Sequence, residues 1–143
     1  MSKINFTDVS NECAEISKLL TLEYENISGY SKTNIHLLEE ILYKIKKLSY
    51  KEKEEQLILR AGAYVGEVIR KSSKNNYFWV KYSEVSKVNL ELIEFGENLL
   101  TYYILYSDKK GLLFPMAKVK KFLDNGKKDS LEFYVDLILS DSF

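Results

Sequence analysis

Apolar residues recur along the first half of the chain at helical spacing. Val9, Cys13, Ile16, Leu20, Tyr24 and Ile27 lie four, three, four, four and three residues apart, which places them on one face of a helix. Thr7 or Asp8 can cap its start and Gly29 can end it. A second helix follows Ser31 or Thr33, with Ile35, Leu38, Ile41, Leu42, Ile45 and Leu48 as its buried stripe. Glu39, Glu40, Lys44, Lys46 and Lys47 fall mostly around its outside. The third stretch, QLILRAGAYVGEVIRK from Gln56 to Lys71, is apolar over roughly 220° of a helical wheel, well beyond a one-sided stripe. Such a helix must be covered on several sides. It is the expected central helix, over about residues 50–72, opened by a Ser49–Glu52 capping box.

Gly62 and Gly66 lie on its apolar arc. Each costs a helix up to ~1 kcal/mol relative to alanine, so both predict close approach of another element. Gln56, Arg60, Glu67, Arg70 and Lys71 form its narrow polar strip, which holds both arginines of the chain. The strip is readable as solvated ion pairs or as an anchor for another part of the chain.

The period changes after the polar breaker Ser72–Asn76, where asparagine can take a left-handed conformation. Tyr77–Tyr82 is aromatic and β-branched, a strand by propensity. A polar turn, Ser83–Lys87, leads to a second strand, Val88–Phe95, with a bulge near Leu92–Ile93. Gly96–Asn98 is a hairpin loop, and the return strand Leu99–Tyr106 has few polar residues and so can be covered on both faces. Leu112–Phe114 can add a short fourth strand. Pro115 suits the first turn of a helix carried by Met116, Val119, Phe122 and Leu123 and closed by Asn125–Gly126. Asp129 and Glu132 suggest the cap of a last helix, with Leu131, Tyr134, Val135 and Ile138 buried and Phe133 and Leu137 widening that face. The expected fold is α+β: three N-terminal helices, an antiparallel meander of three to four strands and two C-terminal helices, in a single domain over residues 1–143.

Composition narrows the function classes. Lysine plus arginine and aspartate plus glutamate both number 21, so no overall charge draws the chain to nucleic acid or an anionic membrane. The polar start MSKINFTDVSNE has no signal-peptide core, no run is long enough to span a membrane, and one cysteine precludes an intrachain disulfide. A cytoplasmic protein is expected. Cys13 sits in an apolar set and His36, the single histidine, stands in the first turn of the second helix. Neither has a partner at metal-ligand or nucleophile spacing, so no catalytic residue, cofactor or metal is expected. Glu67 and Asp129 could serve as paired carboxylates, but ion pairing and capping explain them more simply.

Charge is nevertheless uneven. Between Glu84 and Glu97 four glutamates oppose one lysine, a local charge of −3, and between Lys109 and Lys128 seven lysines oppose one aspartate, a local charge of +6. The chain has eleven tyrosines, and tyrosine is enriched at protein interfaces. Glu91, Glu94 and Glu97, with Tyr102 and Tyr103 on the return strand, form the expected partner-binding surface. The segments GAYVGEVIRK, Trp79 and FPMAKVKKFLDNGKKDSLEFY resemble a pattern of small bacterial proteins, GAYxGEVI…W…PFxKVxKFxxNGxxDSxxxFY, over about residues 57–139. Asn75–Phe78 stands where that pattern has a glycine pair before tryptophan, and Met116 where it has phenylalanine. The resemblance points toward immunity proteins of bacterial toxin systems and implies a non-catalytic protein that neutralises a toxin; the acidic surface makes a basic toxin domain the expected partner. The alternative is a small-molecule or catalytic protein with a pocket between the central helix and the sheet.

Overall fold

The structure, a computed structural model, describes residues 6–47, 54–86 and 96–140. The fold is α+β, with six helices and a three-stranded antiparallel sheet among the described residues. Helix α1 (Phe6–Glu23) is followed by a single 3-10 turn (Glu25–Ile27), α2 (Thr33–Lys47) and α3 (Glu54–Ser72). Strand β1 (Phe78–Lys81) runs into the short α4 (Tyr82–Val85). Strands β2 (Tyr103–Ser107) and β3 (Gly111–Leu113) then precede α5 (Pro115–Asn125), a 3-10 turn (Gly126–Asp129) and α6 (Leu131–Ser140). The Ser49–Glu52 box, Leu48 and the strand expected at Val88–Phe95 lie outside the described residues.

Helix α1 starts at Phe6, so Thr7 and Asp8 belong to its first turn rather than capping it. It stops four residues short of Ile27, where Tyr24 leaves helical geometry. Its last turn has no basic residue to offset the negative end of the helix dipole. Glu23 instead meets Arg60 of α3 at 3.2 Å. Ile27 is still fully buried, so the apolar period continues although the helix does not.

Helix α3 is the centre of the molecule. Every residue from Ala61 to Ile69 is buried, because the helix packs against α1, α5 and α6 and against Trp79 of β1. Its two glycines set the approach distances. A Cβ on Gly62 would stand 2.8 Å from the Met116 backbone, so α5 crosses there at close range. A Cβ on Gly66 would overlap the Trp79 indole.

The sheet order is β1-β2-β3, with Trp79 opposite Leu105, Lys81 opposite Tyr103 and Leu105 opposite Leu113. Strand alternation sends Trp79, Lys81, Tyr103 and Leu105 toward the helices. Val80 and Ile104 face the other way and join Tyr82 and Val85 in a second, smaller apolar cluster. Strand β2 is thus covered on both faces, as its composition suggested. The strand begins at Tyr103 rather than Leu99. Thr101 Oγ1 donates to Gly96 O at 2.7 Å, Leu100 N donates to Asn98 Oδ1 at 2.8 Å and Tyr102 N donates to Asn98 O at 2.9 Å, which folds residues 96–102 into a turn. Ser83–Val85, expected in a polar turn, form the helix α4 together with Tyr82, expected to end the first strand. Asn76 is left-handed, with φ +54°.

Met116, Val119, Phe122 and Leu123 are all buried, Pro115 opens α5 and Gly126 closes it at φ +69°. The start of α6 differs from expectation. Ser130, not Asp129, is the cap: its Oγ accepts Phe133 N at 3.1 Å. Asp129 turns back to Asn125 and Lys118, whose hydrogen bonds hold its carboxyl below the ordinary range. Phe133 and Leu137 do not widen the buried face. They are 67% and 44% exposed, since α2, α3 and α5 cover only one side of α6. No described helix is long and apolar enough to cross a membrane.

Candidate functional site

Three groups of side chains carry chemistry, and the fold treats them differently. The first lies between α1, α3 and the sheet. Glu67 falls on the polar strip of α3, yet it is 0% exposed. A carboxylate taken out of water needs strong donors. Arg70 supplies two, from Nε at 2.6 Å and from Nη2 at 3.0 Å, and Trp79 Nε1 supplies a third at 3.1 Å. The strip is therefore an anchor rather than a row of solvated pairs. Glu67 ties α3 to β1, and Arg60 ties α3 to α1 through Glu23.

Cys13 is fully buried beside this group. Burial pushes its thiol far above the ordinary range, with the Glu67 and Glu12 carboxylates adding to the effect. A thiol held protonated out of solvent is a poor nucleophile. Glu12 accepts a hydrogen bond from the Tyr103 hydroxyl and faces Lys81 Nζ at 3.5 Å. Burial and that bond raise the Tyr103 phenol. Trp79 itself lies fully buried between α3 and the sheet, against Gly66.

The second group is the surface expected to bind a partner. Glu91 and Glu94 lie outside the described residues, and Glu97 is exposed in the 96–102 turn. Tyr102 is 36% exposed, while Tyr103 is only 5% exposed and belongs to the interior. Residues 102 and 103 alternate across the end of the strand, so both could not face solvent. Tyr103 still serves the surface from below. Its ring meets Tyr102 edge-on at 4.8 Å, and Lys81 Nζ lies 5.6 Å from the Tyr102 centroid. Tyr102 is thus held in place by an aromatic contact and a cation–π contact.

The third group was not legible in sequence spacing. His36 stands at the start of α2 on the surface, as expected of it, but Glu132 of α6 meets it. Its Nδ1 lies 3.2 Å from Glu132 Oε2 and its Nε2 lies 3.3 Å from Glu40 Oε1. Glu39, expected on the outside of α2, is 9% exposed. Its Oε2 accepts Leu131 N at 2.8 Å and Ser130 Oγ at 3.1 Å, so it caps α6 from another helix. His36, Glu39 and Glu132 each bring a donor atom within 4.8 Å of the other two. The HLLEE run hinted at one helical face, but Glu132 comes from the far end of the chain and only the fold supplies it. A groove of about 500 Å³ opens beside them, with Tyr43, Phe122 and Lys127 in its wall.

Comparison with protein-family models, curated proteins and solved structures finds no match to this chain.

Proposed function

We propose that the protein is a non-catalytic, cytoplasmic protein-binding protein of the immunity type, which neutralises a toxin by covering a basic domain of it. The surface that carries this role is the 96–102 turn with Glu97 in it and Tyr102 at its end; Glu91 and Glu94, outside the described residues, are assigned to it on their charge. One observation carries the reading: Tyr102 is presented to solvent while being clamped by Tyr103 and Lys81. An aromatic fixed before binding loses little rotamer entropy on contact, which is what an interface anchor requires. Glu97 beside it supplies charge that steers a basic partner. The polar groups most suited to catalysis are spent elsewhere, Glu67 on Arg70 and Trp79 and Glu12 on Tyr103. This reading assigns no nucleic acid, membrane or cofactor to the protein.

The test starts with affinity capture from the source cells and identification of the captured protein. Association rates are then measured for wild type, for a variant with Glu91, Glu94 and Glu97 changed to lysine, and for Tyr102→Ala, at two salt concentrations. The triple variant is expected to associate roughly tenfold or more slowly at low salt and to lose most of the salt dependence. Tyr102→Ala is expected to raise the dissociation rate instead. Wild-type kinetics for both variants would remove this surface from the function.

A further inference from the structure

A guanidinium carries five N–H donors and no acceptor, and one taken largely out of water needs partners for them. The two arginines of α3 meet that need differently. Arg70 spends its Nε and Nη2 together on the Glu67 carboxylate. Arg60 is the less exposed of the two, with 21% of its side chain reaching solvent. Among the described residues its hydrogen-bond partner is Glu23 alone, which meets Nη1 at 3.2 Å. The Nε–Nη2 edge, the one that takes a carboxylate through two parallel bonds, bonds no described residue. Glu23 is 52% exposed and can turn into water, whereas Arg60 cannot.

Arg60 stands in the wall of a cleft of about 180 Å³ between the end of α1, α2 and the start of α3. Leu20, Ile45 and Leu57 give the cleft its apolar lining. Leu20 is fully buried, but Ile45 and Leu57, which their periods place on buried faces, are only half-buried. Gln56 lies one turn before Arg60 on the same face of α3. Its exposed amide also borders the cleft and bonds no described residue. An apolar lining with a few polar groups that fix orientation is the general form of a small-ligand site. A cavity of about 150 Å³ accommodates a molecule the size of benzene, so this cleft has room for a short tail and not for a polypeptide.

We propose that the cleft binds a small amphipathic monocarboxylate, with its apolar body against Leu20, Ile45 and Leu57. Its carboxylate takes the Nε–Nη2 edge of Arg60, and Gln56 adds a further donor. Glu23 offsets the one cation of the lining, which suits a single negative charge better than a phosphate dianion. Glu23 also competes for the guanidinium, so the bound anion turns it outward. The site shares no residue with the surface around Tyr102.

The test is titration of the full chain, isotope-labelled on its leucine and isoleucine methyls, followed by NMR. Benzoate and isocaproate are the probes, and benzamide is the neutral comparator. The expected result is saturable shifts at Leu20, Ile45 and Leu57 with at least one of the two acids at about millimolar concentration, the range open to so few atoms. Benzamide should bind at least tenfold more weakly than benzoate. Arg60→Lys keeps the charge but loses the fork, and should weaken the acid about tenfold with an unfolding midpoint near wild type. Glu23→Gln removes the competing carboxylate and should tighten the acid about two- to fivefold, the range of an exposed ion pair. A purely structural Arg60–Glu23 tie would not produce that gain. Absence of saturable shifts at these residues with both acids would overturn the proposal. So would equal binding of benzoate and benzamide, or wild-type affinity in both variants.

Discussion

Gly66 and Trp79 are the pair on which the interior turns. Replacing a helical glycine by alanine ordinarily gains up to ~1 kcal/mol of helix propensity. Here the added methyl would overlap a fully buried indole, which unlike a flexible side-chain tip cannot swing aside. Overpacking of this kind costs ~1–3 kcal/mol, so the clash outweighs the propensity gain. Gly66→Ala is expected to lower the chemical-denaturation midpoint, and an unchanged or raised midpoint would contradict the packing. The need for close approach at Gly62 and Gly66 was legible in the sequence, because two glycines on an apolar helical arc demand a neighbour. Which neighbour was not legible. Gly62 meets helix backbone and Gly66 meets an aromatic ring, a distinction that depends on the sheet lying across α3. The sequence left Glu67 open between a solvated pair and an anchor for a related reason. Its place on the helical wheel is polar, and only its distant partner Trp79 turns that place into interior.

At the scale of elements, helix faces were legible and helix ends less so. The periods of α1, α2, α3 and α5 predicted most of their buried apolar residues because burial follows one angular rule. Ends depend on partners the period does not contain. Helix α6 illustrates this: DSLE reads as a cap at Asp129, but the structure caps it with Ser130 and, across a gap of 91 residues, with Glu39. The three readings separate by mutation. Ser130→Ala and Glu39→Ala are each expected to cost ~1–2 kcal/mol, the usual range for a lost cap. Asp129→Ala should cost less, since its pairing with Lys118 is close to the surface and such pairs contribute little. Unfolding midpoints of the three variants check the order. A larger loss for Asp129→Ala than for the other two would restore Asp129 as the cap.

For the whole molecule, the division of labour is between a closed interior and an outer surface. The α+β class followed from the change of period after residue 76. The strand boundaries did not, because residues 96–102 close on themselves through Thr101 and Asn98 and delay the return strand to Tyr103. That delay also shapes the proposed partner surface, placing Tyr102 outside and Tyr103 within. A pocket between α3 and the sheet would leave room for a ligand and bring solvent to Trp79. The fully buried Trp79, seated against Gly66, occupies that place instead. The chain has one tryptophan, so its intrinsic fluorescence reports on this interface alone. The measurement is the emission of the native protein and its quenching by iodide, with the denatured chain as reference. Blue-shifted emission that iodide barely quenches, turning red-shifted and quenchable only on unfolding, is the predicted result. Red-shifted, readily quenched emission from the native state would contradict a filled interface and favour the alternative of a pocket beside α3.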